Sequence, residues 1–407
     1  MKNKKDGYTL KHKLSWIFLI ILLSGCTGFK ASPVVETLPA LLRLLPSAYP
    51  VLTDDLGYEG LEHGIQMSLT YYKKIPQDRI FVFGEESYTA THLIRSLEVF
   101  QDFIQDKPSS DQLNAMVRKD YYVYRAAGIS EKVLFTGYYE PVLKGSRTET
   151  PIYRYPIYCR PDDLVTVDLF AFSPKYAGET ITGRYTGQSV VPYYDRKAIE
   201  TREIFMNRVQ ALVWVDDPVD LYFLHIQGSG KVMLNQGDTL NVHYHVTNGH
   251  PYRSIGKVLI DQGKISRAEM SMQAIRAYLK ANPEEQAAIL NANPSYVFFK
   301  IETDGPLGNL NVPLTPGRSI AVDKKIFPPA ALMYIQTHKP TVNETGQIGE
   351  WEAFGRFALN QDTGGAITGP GRADIFWGNG SYAELAAGHL QHRGEMYFLI
   401  LKPEALP

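Results

Sequence analysis

Cysteine is scarce: Cys26 and Cys159 are the only two among 407 residues, too few for a disulfide framework. A chain without disulfides must rely on a large buried core, and its length is ample for one large or two medium domains. Charge of one sign is also lacking, since the net charge is −1. That excludes the basic stripe on which nucleic-acid binding depends. The apolar run Leu14 to Leu23 falls short of the roughly 20 residues that a bilayer-spanning helix needs. There is no internal repeat, and no set of residues has metal-ligand spacing, so no metal or cofactor is expected.

What is present begins at the N-terminus. Lys2, Lys4, Lys5, Lys11 and Lys13 precede the short apolar run, which ends in Leu23-Ser24-Gly25-Cys26. This pattern reads as a secretion signal over 1–25. It resembles the bacterial lipobox, in which cleavage before the cysteine leaves a lipid on its sulfur, here Cys26. Thr27 in the next position resembles lipoproteins sorted to the outer membrane. Pro33, Pro39, Pro46 and Pro50 then make 26–55 read as a tether.

Helical spacing predicts one helix from about Tyr58 to Lys73 and another near Thr91 to Ile104, with Leu93, Leu97, Phe100 and Ile104 on one stripe. From Val133 to Arg160 the chain is rich in Tyr, Val and Ile broken by Gly and Pro, a strand-and-turn pattern. A helix is expected over Arg196 to Gln210 and a strand over Asp220 to Ile226, stopping at Gly228-Ser229-Gly230. Ser266 with Glu269 reads as a capping box opening a further helix. Beyond Thr303-Asp304-Gly305-Pro306, short strands are expected at Ser319 to Val322, Leu332 to Gln336, Phe354 to Leu359 and Met396 to Leu401.

The most informative stretch joins Gln361-Asp362-Thr363-Gly364-Gly365-Ala366-Ile367 to Asp374-Ile375-Phe376-Trp377-Gly378. Two carboxylates bracket a glycine-rich loop, and glycine permits positive φ and close approach of a ligand. Asp323, after Ser319-Ile320-Ala321-Val322, supplies a third acid at a strand end. Three acids converging on one site would push at least one pKa upward, as a general acid for glycosidic cleavage requires. Each aspartate alone is more often a turn-former than a catalyst. Asp362-Thr363-Gly364 also matches the aspartic-protease triplet, but no second copy exists to complete a carboxylate dyad.

The segment Arg318 to Gly378 resembles the three-aspartate domain of cell-wall enzymes, with Asp323, Asp362 and Asp374 matching its acids. Phe135-Thr136-Gly137-Tyr138-Tyr139-Glu140-Pro141, His225 to Gly230 and Asn248 to Gly256 extend the likeness. Together they resemble the membrane-bound lytic transglycosylase A family over nearly the whole mature chain. The resemblance implies a mainly β fold with accessory helices. A double-psi β-barrel domain would be formed by 56–140 and 304–407, with the three-aspartate part at about 318–402. A smaller β-domain, 141–303, would be inserted in it, with glycan in the groove between them.

The resemblance makes Asp374 the catalytic acid, supported by Asp323 and Asp362. It gives substrate-binding roles to Thr136, Gly137, Tyr138, Tyr139, Gln227, Gly228, Ser229, Gly364, Gly365 and Ala366. The Asp362-to-Asp374 loop is one residue longer than in the best-known members. Implied partners are peptidoglycan strands, the outer membrane through Cys26 at its periplasmic face, and cell-wall synthesis complexes; no cofactor is implied. The implied reaction cuts the bond from N-acetylmuramic acid to N-acetylglucosamine with formation of a 1,6-anhydro ring, in wall turnover and remodelling. A muramidase hydrolysing the same bond and a silent peptidoglycan-binding lipoprotein are the competing readings.

Overall fold

The computed structural model describes residues 40–126, 132–201 and 209–405. The predicted lipid-bearing Cys26 lies outside them. From Leu41 the chain is already part of the fold, which corrects the tether reading for that part of 26–55. Strand β1 (Leu41–Arg43) pairs with a later strand, and Asp54 and Asp55 are held by Arg318 and Arg356. Helix α1 (Leu61–Lys73) buries Leu61, Ile65, Leu69 and Tyr72 on one stripe. A hairpin of β2 (Ile80–Phe83) and β3 (Glu86–Thr89) leads into α2 (Ala90–Gln105). Thr89 caps α2 by accepting from the His92 amide, and the predicted stripe Leu93, Leu97, Phe100 and Ile104 is buried. Helix α3 (Ser110–Asp120) opens on a Ser109–Gln112 capping box and runs into β4 (Tyr121–Ala126); β5 (Val133–Tyr138) follows.

The next stretch builds separate sheets. Its strands are β6 (Val142–Ser146), β7 (Tyr155–Tyr158), β8 (Leu164–Asp168), β9 (Thr180–Tyr185) and β10 (Val190–Pro192). Helix α4 (Arg196–Glu200) covers the start of the helix predicted over Arg196 to Gln210, of which 202–208 lie outside the described residues, and Ala211–Val215 is strand β11. The predicted strand Asp220 to Ile226 is instead helix α5 (Pro218–Gln227). Asp217 caps it by accepting from the Val219 and Asp220 amides, Pro218 occupies the first turn, and Gly228 ends it at φ 81°. A helix buried on nearly every side shows a continuous apolar run, which periodicity cannot tell from a buried strand.

Strands β12 (Ser229–Leu234) and β13 (Thr239–Thr247), helices α6 (Ile255–Asp261), α7 (Met272–Ala281) and α8 (Pro283–Leu290), and strand β14 (Val297–Glu302) complete this region. Ser266 Oγ accepts from the Glu269 amide and donates to the Glu269 carboxylate, which is half of the predicted box, and the pair closes only a turn. Helix α7 begins after Ser271, whose hydroxyl accepts from the Ala274 amide.

The C-terminal part holds β15 (Ser319–Ala321), β16 (Leu332–Val342), β17 (Ile348–Asp362), β18 (Arg372–Phe376), α9 (Ser381–His389) and β19 (His392–Leu401). The main sheet runs β1-β4-β19-β16-β17-β15-β18-β5, and β5 pairs back onto β19. Residues His392–Gly394 of β19 lie against β5, while Glu395–Leu399 lie against β16. Six strands thereby close into a barrel, leaving β1 and β4 as an extension; closure removes the exposed edges on which sheets aggregate. The second sheet runs β14-β13-β12-β6-β11-β7, and β10-β9-β8 form a small third one.

One apolar core, from Leu41 to Leu401, fills the barrel and its helices. Three smaller clusters serve the 142–302 region. Residues 39–407 nonetheless form one compact unit.

Candidate active site

The register of the barrel brings Asp362 and Asp374 together. Ala321 of β15 pairs with Asp362 of β17 on one side and Asp374 of β18 on the other. Along β18, Ala373 and Ile375 point into the core, so Asp374 faces outward with Arg372 and Phe376. Across the parallel β5–β18 pair, Thr136 lies beside Asp374 and Tyr138 beside Phe376.

The two carboxylates have different surroundings. Asp362 accepts from the Tyr138 hydroxyl at 2.8 Å, the Asn309 amide at 2.9 Å and its own neighbour's amide, Thr363, at 2.9 Å. Burial pushes its pKa up, and these three donors oppose the rise. Asp374 accepts from the Thr136 hydroxyl, and Arg372 bonds the same hydroxyl oxygen at 3.3 Å. Burial again pushes the carboxyl up, Arg372 draws it down and the Asp362 charge raises it; the result is about 6. Asp374 is thus the member of the pair whose carboxyl is carried up to about 6, while the rise at Asp362 is opposed by the donors that orient it.

Asp323 does not join them. Its two oxygens accept from the Gly369 amide at 2.8 Å and the Lys325 amide at 2.9 Å, fastening the 363–371 loop to the end of β15. The loop's positive φ falls at Gly369, at 81°, and not at Gly364 or Gly365. Gly364, Gly365 and Ala366 form a partly exposed turn closed by the Ile367 amide on the Gly364 carbonyl.

A small crevice opens one pleat along from Asp374. Tyr138, Tyr139, Glu140, Phe376 and Asp362 line it from the barrel side. Gln227 and Ser229 line it from the second sheet's side, with Pro306, Leu307 and Leu314 between. The Tyr139 amide donates to Gln227 Oε1 at 3.1 Å, tying β5 to the end of α5. The predicted Tyr138, Tyr139, Gln227 and Ser229 are thus brought together. Gly137 and Gly228 have packing roles. A β-carbon on Gly137 would stand 2.6 Å from Trp377 Nε1 and 2.9 Å from Ala387, and Gly228 is the left-handed cap of α5.

Sequence reasoning missed Glu140, Leu307, Leu314 and Phe376 as site residues. Glu140 stood within a quoted motif, and Pro306 within a punctuating turn, but neither carried a chemical signal alone. His225 and His250 are held by structural partners. His225 accepts from Arg196 at 3.0 Å, with burial driving its pKa well below the usual value, and His250 Nε2 bonds the Tyr193 carbonyl at 2.7 Å.

Comparison with known proteins adds to this geometry. The MltA specific insert domain matches residues 134–300 and the 3D domain matches 318–400. The membrane-bound lytic murein transglycosylase A of Escherichia coli K12 is 34% identical over 277 residues, 67% of each chain. A crystal structure of a membrane-bound lytic murein transglycosylase from Agrobacterium tumefaciens superposes with TM-score 0.73 at 29% identity, covering 90% of this chain and 99% of that one. The crystal structure of MltA from Neisseria gonorrhoeae gives 0.64 at 27%, covering 89% and 91%. Insert, three-aspartate barrel and whole-chain likeness agree: this chain belongs to the membrane-bound lytic murein transglycosylase A family.

Proposed function

We propose that the protein is a lytic transglycosylase that cuts peptidoglycan strands between N-acetylmuramic acid and N-acetylglucosamine, with Asp374 as its one acid/base and a 1,6-anhydro sugar as product. The observation that carries this reading is the pair of unlike carboxylates. Asp374 holds a pKa of about 6, while Asp362 is pinned by three donors. Thr136 donates to Asp374 Oδ1, so the mobile proton belongs on Oδ2. That proton passes to the glycosidic oxygen as the bond from C1 breaks. The 6-hydroxyl of the same sugar then closes on C1 and returns its proton to Asp374. Atoms balance without water, because the substrate supplies its own nucleophile. Ordinary glycosidases need a second carboxylate about 5 to 9.5 Å away to attack or to activate water. Asp362, spent on its donors, keeps Asp374 raised by its charge and orients Tyr138.

In this reading the closed barrel is of the double-psi type. It comprises 56–140 and 304–407, with 141–303 inserted and the glycan lying in the groove that the crevice marks. The split of strands between the two larger sheets supports that division. Cys26 carries the lipid that holds the enzyme at the periplasmic face of the outer membrane. Among the described residues no helix is long and apolar enough to cross a membrane.

Mass spectrometry of products from purified sacculi tests the reaction. Muropeptides ending in 1,6-anhydro-N-acetylmuramic acid are expected. Reducing ends that incorporate heavy oxygen from labelled water would make the enzyme a muramidase instead. Co-sedimentation with sacculi without any product would make it a binding lipoprotein.

A further inference from the structure

Arg372 is a charged group on the acid's own strand whose purpose the reaction above leaves open. It opens β18 two residues before Asp374, so both side chains stand on the outward face of that strand. Backbone contacts fix its place. Arg372 lies opposite Leu134 of β5, just as Asp374 lies opposite Thr136, and the Leu134 amide donates to the Gly371 carbonyl at 2.9 Å. The loop that delivers Arg372 is fastened by the Gly369 amide on Asp323, at 2.8 Å.

The contact that follows is directional. Arg372 Nη2 bonds Thr136 Oγ1 at 3.3 Å, and Thr136 in turn bonds Asp374 Oδ1. The guanidinium reaches the hydroxyl, and the hydroxyl reaches the carboxyl. A guanidinium has donors and no acceptor, so the Thr136 hydrogen cannot turn toward Arg372. It is left for Asp374 Oδ1. Without Arg372 the hydroxyl is a rotor that can equally accept a proton from the carboxyl. The acid's proton would then sit on Oδ1, held by Thr136.

The same cation acts through space. Burial and the charge of Asp362 both raise the Asp374 carboxyl, and Arg372 draws it down, leaving it at about 6. The other titratable neighbour is Tyr138 of β5, whose hydroxyl is engaged by Asp362, and β15 contributes Ala321, which does not titrate. We propose that Arg372 is a positioning residue for the reaction: through the Thr136 hydroxyl it keeps the acid's proton on Asp374 Oδ2, where the glycosidic oxygen takes it. Its charge also limits how far up the pH scale the acid stays protonated. The inference rests on the reading of Asp374 as the acid and deepens it. Asp323 enters as the residue that fastens the loop from which Arg372 emerges.

The test follows initial rates of product release from purified sacculi against pH, with the full-length protein. Arg372→Met removes both the donor and the charge. It should lower kcat about 10- to 100-fold, the scale of a misplaced reacting group. It should also move the high-pH midpoint of kcat/KM upward by about one unit, since a nearby cation no longer favours the carboxylate. Arg372→Lys keeps the charge and loses the planar fork, so the midpoint should stay while part of the kcat loss remains. Thr136→Val removes the relay itself. Adding Arg372→Met to it should cost kcat little more, because residues acting through one contact do not add.

An arginine with only a structural role gives another pattern. A midpoint unmoved in the Met variant overturns the proposal, as do kcat losses that add fully with that of Thr136→Val. If the Met variant does not fold, Thr136→Val decides in its place, and full kcat in that variant overturns the relay. Failure of the underlying reading looks different. Full activity of Asp374→Asn would sink the acid itself, whatever the Arg372 variants do. An inactive Asp374→Asn beside an Arg372→Met indistinguishable from the unsubstituted protein would sink this inference alone.

Discussion

The barrel and the 142–302 region solve the same burial problem differently. The barrel closes six strands around one continuous core, whereas the region inserted between β5 and β15 divides its apolar residues among three clusters. A closed sheet fixes the register of every strand. Register is what sets Asp374 beside Thr136 and Asp362 across Ala321. The second region needs no such closure, because its crevice groups are held one by one, Gln227 by the Tyr139 amide and Ser229 by His243. On the proposed reading, the proton chemistry belongs to the closed barrel, and part of the crevice lining belongs to the region whose core is divided among three clusters.

The largest expected effect tests whether that division is real. Asp374→Asn should lower turnover on purified sacculi by about 10²–10⁴-fold, the usual worth of general acid catalysis. Gln227→Glu should act mainly through substrate affinity. Asp362→Asn should be milder than Asp374→Asn, since it removes an orienting charge and not the proton carrier. If Asp362→Asn proves the worse lesion, the assignment of acid and support is inverted.

Stability should divide along the same line. Arg318 is fully buried and forms a bidentate pair with Asp54, at 2.6 and 2.8 Å, whose side chain is only 1% exposed. Asp54→Asn leaves the buried guanidinium with the Glu59 and Phe357 carbonyls but no counter-charge, and should cost about 3–5 kcal/mol. The counterpart in the second region is Arg196 with Glu200, at 2.9 Å. Glu200 is a third exposed, and Arg196 also donates to the Asn293 and Ser295 carbonyls and lies over the rings of Tyr222 and Tyr296. Glu200→Gln should therefore cost only about 1 kcal/mol. Urea unfolding of both variants checks the ranking, and equal losses would erase the distinction between the two frames.

Helices with one apolar stripe were legible in the sequence, because helical spacing is a local property; α2 is the clear case. Strands of the barrel were legible as short apolar runs, though β16 and β17 extend well past the expected ends into a long hairpin. Helix α5 was not legible, since burial on nearly all sides hides its period. The described part of the proline-bearing stretch, 40–55, looked like a tether because Asp54 and Asp55 are held by Arg318 and Arg356, some 260 to 300 residues away. The proposed acid, Asp374, was singled out by its loop and its family pattern. The crevice was only half found, because Leu307, Leu314 and Phe376 acquire meaning only when β18, α5 and the 306–314 loop meet.

A smaller effect is expected at the seam between the regions. Arg276 of α7 pairs with Asp220 of α5, donates to the Tyr139 hydroxyl at 3.2 Å and lies 3.6 Å from Glu384 of α9. Its guanidinium also covers the Phe223 ring at 4.5 Å. One side chain therefore links two helices of the second region to the strand end and helix that flank the crevice. Arg276→Gln keeps some hydrogen bonding and loses the charge. It should raise KM about tenfold with a smaller change in kcat, as expected of a group that shapes binding and does not touch the reacting atoms. A drop in kcat at constant KM would move Arg276 into the proton-transfer machinery and blur the line between the regions.

The smallest effect concerns what the barrel gives up to hold its acid. Asp374 titrates at about 6 when folded against 3.8 as a free side chain, so the native state binds a proton more tightly than the unfolded one. A group raised in this way contributes its full stability below pH 3.8 and loses it as the pH rises through about 6. Near neutrality the barrel therefore carries a partly desolvated carboxylate at a cost. Asn at this position has no charge to desolvate. Asp374→Asn should be more stable than the unsubstituted protein at pH 8, and the advantage should disappear at pH 3.5. Each pKa unit corresponds to about 1.4 kcal/mol, and the partial exposure of Asp374 trims the gain to about 1–2 kcal/mol. The same proton sets the activity profile. With the protonated form as the working acid, kcat/KM should fall about tenfold per pH unit above a midpoint near 6. Thermal melts at the two pH values, run beside that profile, tie the two effects to one carboxyl. A gain in melting temperature of equal size at both pH values would trace it to packing and leave the raised acid without its stability signature.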